Sequence, residues 1–114
     1  MVVDLNQESP KDVISKALEA VEISRKTGKV KKGINEVTKV IERGVAKLVV
    51  LAKDVNPKEI IMHLPLLCDE KKVPLVIVSN KEELGAAVGL LISTSAVAVI
   101  AEGQAKELIQ QLSV

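Results

Sequence analysis

The sequence predicts an α/β fold in which one central sheet is covered by helices on both sides, and two observations predict it. Leu48–Ala52, Leu75–Val78 and Ala96–Ile100 are short, unbroken apolar runs, the form taken by strands buried on both faces. Between them lie stretches with helix-start residues and apolar side chains at helical spacing. Strands that alternate with helices bury both faces of a shared sheet.

In chain order, residues 1–8 read as a lead-in or a short edge strand. Ser9-Pro10 then starts a helix, with serine as N-cap, proline at the first position and Asp12 in the first turn. Its apolar stripe is Ile14, Ala17, Leu18 and Val21, and Gly28 ends it. A basic loop leads to a second helix over 34–43, closed by Gly44. The run 48–52 follows. Asn56-Pro57-Lys58-Glu59 repeats the helix-start chemistry ahead of Ile60, Ile61 and Leu64, and Pro65 divides this helix into two pieces reaching about Lys72. After the run 75–78, Asn80 and Glu83 form a capping pair for a short helix ending near Gly89. Residues 89–95 are an apolar loop before the run 96–100, Gly103 is a turn, and 104–112 form a closing helix. No repeat, linker or low-complexity segment divides the chain, so residues 1–114 are expected to form one domain.

The stretch from Lys31 to Lys39 carries the densest chemistry. Ile34, Val37, Val40 and Ile41 form a packing face, while Asn35, Glu36, Lys39 and Arg43 lie opposite. The first turn of a helix offers unpaired N–H groups and the positive end of the dipole, which favour phosphate or electron-rich base edges. Gly33 removes a side chain that would hold a partner away. Asn35 both donates and accepts, Glu36 accepts, and Lys39 brings a flexible charge one turn on. A carboxylate among lysines suits acceptance from base N–H donors, of which guanine has two on one edge. The other reading is that Asn35 and Glu36 cap a surface helix.

Net charge is +1, but residues 1–53 hold 11 Lys and Arg against 7 Asp and Glu, while residues 54–114 hold 5 against 8. Arg25, Lys26, Lys29, Lys31 and Lys32 are grouped with no acid between them. They read either as a phosphate-binding patch or as a solvated loop. The 0% aromatic content leaves no rings for base stacking, which disfavours single-strand binders and recognition-motif sheets. Cys68 is the single cysteine, which excludes an internal disulfide and suits a reducing compartment. With no membrane-length apolar run and no signal-peptide pattern, a cytoplasmic protein is expected.

No catalytic or metal-ligating set stands out, and no cofactor is expected. His63 and Cys68 are five residues apart on a helical stretch and need not face one another. Gly85 and Gly89 do not make a dinucleotide loop. Leu90, Leu91 and Ile92 either fold back onto the core or wall a pocket for an unstacked base.

Lys32-Gly33-Ile34-Asn35-Glu36-Val37-Thr38-Lys39, then Glu42-Arg43-Gly44, then His63-Leu64-Pro65-Leu66-Leu67-Cys68 resemble the kink-turn-binding ribosomal protein family, called L-seven-Ae in archaea. The resemblance runs from about Pro10 to Gly103. It implies a three-layer α-β-α sandwich with a central mixed sheet of about four strands. It also implies a non-enzymatic protein of the archaeal large ribosomal subunit, of box C/D and H/ACA guide ribonucleoproteins and of ribonuclease P. Carried over by position, Gly33, Asn35, Glu36 and Lys39 meet tandem sheared G·A pairs, Lys32 and Arg43 contact phosphates, and Ile60, Leu90, Leu91 and Ile92 contact the extruded nucleotide. The partners so implied are kink-turn RNA, ribosomal RNA, guide RNA and other ribonucleoprotein proteins, bound by a monomer with no membrane role. The chain departs from the family pattern at Leu75 and Ile77, where relatives carry aromatics, at Lys53, commonly acidic, and in the loop 90–95, which lacks the usual proline. The alternative is a protein-interaction module on the same fold without kink-turn binding.

Overall fold

The computed structural model describes residues 9–54, 62–89 and 94–112. Four strands form one mixed sheet: β1 (Lys29–Lys32), β2 (Leu48–Ala52), β3 (Leu75–Val78) and β4 (Ala96–Ala101), in the order β1-β4-β2-β3. β4 is antiparallel to both β1 and β2, whereas β2 and β3 are parallel. The helices are α1 (Lys11–Thr27), α2 (Ile34–Glu42), α3 (His63–Lys71), α4 (Lys81–Ala87) and α5 (Lys106–Leu112), with a 3-10 turn at Gly103–Ala105. α1 packs with α4 and α5, and α2 packs with α3, which gives the helix–sheet–helix layering.

The continuous apolar run of β2 is explained by its central place. All five of its residues are buried, and Val50 pairs with Val97 on one side and Val76 on the other. Helices close over it with Val21, Val37, Ile41, Leu64 and Leu84, so the core is aliphatic throughout. Leu75 and Ile77 take their places in this packing without any ring, Ile77 fully buried and Leu75 partly so.

Three local expectations are corrected. The basic stretch read as a loop is the edge strand β1, with Val30 opposite Val99 and Lys32 opposite Val97. Lysines at 29, 31 and 32 remain exposed there, as suits an edge that must not recruit another strand. Ser9 does not cap α1. Its N–H donates to the Ile77 carbonyl at 2.9 Å and its Oγ accepts from the Ile77 N–H at 2.9 Å, so it covers part of the opposite sheet edge, while Pro10 stands at the N-cap. The closing segment is a 3-10 turn followed by α5 rather than one helix from 104. The expected strand within residues 1–8, the helix start at Asn56–Glu59, and the candidate contacts Ile60, Leu90, Leu91 and Ile92 lie outside the described residues.

Other signals act as read. Asn80 Oδ1 accepts from the Glu83 N–H at 2.7 Å and caps α4. Gly44 ends α2 with φ +73°, its N–H bonded to the Ile41 carbonyl and the Val45 N–H to that of Val40, the paired bonds of a Schellman ending. Pro65 lies in the first turn of α3, where its missing N–H has no helical partner to lose, and the helix piece expected before it lies outside the described residues. Gly28 ends α1 for a steric reason. A Cβ there would collide with the Ala101 carbonyl, so the chain end of α1 lies directly on the end of β4.

Candidate nucleic-acid interface

The short link between β1 and α2 sets the geometry of the site. Gly33 has φ +93° and ψ 149°, a conformation that strains any residue with a Cβ, and its N–H donates to the Ala96 carbonyl at 2.9 Å. A Cβ at Gly33 would meet nothing within 4 Å, so the glycine faces open space. Its own carbonyl accepts from the Val37 N–H at 3.0 Å, making it the N-cap of α2 without a side-chain cap.

The next three N–H groups, of Ile34, Asn35 and Glu36, have no backbone acceptor among the described residues. Neither does the Asn35 amide take a hydrogen bond there, and Glu36 makes just a long contact, Oε1 to Lys39 Nζ at 4.0 Å, between half-exposed side chains. The capping role considered for Asn35 and Glu36 is therefore not what holds this helix end. Val37, Val40 and Ile41 anchor the helix from its other face. Asn35, Lys39 and Arg43, four residues apart, form one exposed row with Glu36 beside it. The row runs roughly 15 Å from Gly33 to Arg43 by helical rise.

Lys32 ends β1 next to Gly33 and is exposed. Ala52 N–H bonds the Ser95 carbonyl and Lys53 N–H bonds that of Val78, so Lys53 shares with Gly33 and Ala96 one end of the sheet. A cleft of about 500 Å³ against α1 is lined by Ile14 and Leu18, by Lys11 and by three acids, Glu19, Glu22 and Glu83, a balance that does not favour a polyanion.

One contact was not foreseen. Thr38 Oγ1 donates to the Ile34 carbonyl at 2.8 Å and lies 2.9 Å from His63 Nε2, which joins α2 to the first residue of α3. No sequence signal announces it, since the partners are 25 residues apart. Cys68 lies apart from His63, fully buried in the core, where burial pushes its thiol up to about 12 from an ordinary 9.0. At pH 8 the folded protein should leave a thiol reagent unreacted and consume one equivalent on unfolding, followed by absorbance of the released thiolate. Because the unfolded thiol ionises near 9.0 and the folded one near 12, its contribution to stability is complete below pH 9 and declines as pH rises towards 12. Among the described residues no three His, Cys, Asp or Glu side chains gather as a metal site, and no helix is long and apolar enough to cross a membrane.

The chain matches the model of the ribosomal protein L7Ae/L30e/S12e/Gadd45 family over residues 15–109. Among solved structures it is similar to the Giardia lamblia 15.5kD RNA binding protein, with 28% sequence identity and a TM-score of 0.88, over 97% of this chain and 94% of that one.

Proposed function

Because the chain belongs to the ribosomal protein L7Ae/L30e/S12e/Gadd45 family, we propose that it is a non-enzymatic RNA-binding protein that recognises and stabilises kink-turn and kink-loop RNA. The observation that carries this reading is the open, lysine-flanked end of α2, where, among the described residues, the Asn35 amide lacks a hydrogen bond and Glu36 has just a long contact to Lys39. Groups so placed can meet guanine edges that are presented together when sheared G·A pairs form at a bend. Asn35, Glu36 and Lys39 read those edges with the Gly33 backbone close by, and Lys32 and Arg43 hold phosphates. Ile60, Leu90, Leu91 and Ile92 contact the extruded nucleotide. The protein stabilises the bent RNA through groups exposed in that form alone, which is differential binding of one conformer. Ribosomal RNA of the archaeal large subunit, box C/D and H/ACA guide RNA and ribonuclease P RNA are the candidate hosts. Other ribonucleoprotein proteins are neighbours, and the protein acts in the cytoplasm as a monomer.

The test is a titration at fixed salt against a kink-turn RNA and a control whose G·A pairs are converted to Watson–Crick pairs. The control should bind at least roughly tenfold more weakly. Equal, weak binding to both would turn the reading towards a protein-interaction module. Lys32→Ala should weaken binding to all kinked RNAs alike and lower the slope of log affinity against log salt by about one. A loss confined to some sequences would contradict its assignment to phosphate.

A further inference from the structure

We propose that His63 is a positioning residue for the opening turn of α2, acting through Thr38 on the side chains that read RNA; this rests on the kink-turn reading above. The Thr38 hydroxyl proton is committed to the Ile34 carbonyl, so what Oγ1 offers the imidazole is a lone pair. Nε2 therefore carries a hydrogen and donates it across the 2.9 Å separation. The bond fastens the first residue of α3 to Thr38, one turn into α2 and itself bonded back to Ile34 at the opening.

Val37, Val40 and Ile41 hold the body of α2 in the core, and the reading end before them leaves the sheet through a glycine. Gly33 is held to β4 by one hydrogen bond and joins β1 to α2 with φ +93°, a joint that lacks a Cβ to restrict its torsions. Asn35 has no hydrogen bond within the described protein, so its position follows that of the helix. The His63 bond adds a restraint on α2 to those of the Gly33 hydrogen bond and the buried side chains. Fixing it before RNA arrives removes an ordering cost from binding.

The experiment uses the full chain with His63→Ala, Thr38→Val, the double variant and His63→Gln, whose amide N–H₂ can still donate. His63→Ala and Thr38→Val should each weaken kink-turn binding roughly three- to tenfold, with the double variant no worse than either. His63→Gln should bind within about twofold of the unaltered protein, a rescue that loss of ring packing alone would not give. On the RNA-free protein, nitrogen NMR should show His63 with its hydrogen on Nε2, and the Val37 and Thr38 amides should exchange faster in His63→Ala. Multiplying effects in the double variant, full affinity in both single variants, or a neutral ring with its hydrogen on Nδ1 would each overturn the proposal. If the unaltered protein does not prefer the kink-turn, the functional reading fails, and the NMR and exchange results still decide whether His63 positions α2.

Discussion

Asn35→Ala and Glu36→Ala are each expected to weaken binding to a kink-turn RNA by about 1–3 kcal/mol, the range for losing a base-edge contact. The Glu36 variant is the sharper of the two because its sign is diagnostic. A carboxylate beside Lys39 repels a polyanion, so removing it from a merely solvated helix face would leave RNA affinity unchanged or improved. If Glu36 accepts from guanine N–H groups, the same substitution weakens binding although it makes the protein more positive. Titration at constant salt against the kink-turn and the Watson–Crick control separates these outcomes. The loss should be large on the first and small on the second, and the salt slope should stay close to that of the unaltered protein, since no phosphate contact is removed. Unchanged affinity in both variants would remove the α2 end from the interface.

Leu51→Ala should lower stability by about 2–5 kcal/mol, a large share of the roughly 5–15 kcal/mol available to a domain of this size. Leu51 is fully buried on β2, paired with Ile77 and Ala96, with helices over both faces of the sheet. Truncation leaves a cavity that these surroundings can fill in part. Leu66→Ala serves as the comparison, since Leu66 is 59% exposed on α3 and its removal should change stability by less than about 0.5 kcal/mol. Urea unfolding followed by far-ultraviolet circular dichroism suits a chain with no Trp or Tyr. The midpoint should fall for Leu51→Ala with little change in slope. A small shift would mean that the sheet collapses around the gap.

Much of the architecture was legible because burial on two faces leaves a plain mark. β2, β3 and β4 were found as unbroken apolar runs, and the α4 cap and the end of α2 followed from Asn80 and Gly44. β1 was not legible because three of its four residues are lysines, and it becomes a strand by pairing with β4 some 70 residues later. Ser9 misled for a related reason: serine before Pro10 has the form of a helix cap, but the bare edge of β3 takes its hydroxyl. The face bearing Asn35, Glu36, Lys39 and Arg43 could be read from helical periodicity alone. The attachment of that face to α3 through His63 depends on tertiary placement and left no trace in local spacing.

The hydrogen bond from Gly33 to Ala96 links residue 33 to a strand made 63 residues later in the chain. During synthesis the motif from Lys32 to Lys39 leaves the ribosome early, yet the strand that orients its helix emerges more than sixty residues later. Pairing of such separated segments has a high loop-closure cost and belongs to the late steps of folding. A nascent or truncated chain that stops before β4 therefore contains every residue of the α2 face without the surface they form. The α2 face thus takes its surface form only once β4 has been made and paired with β1.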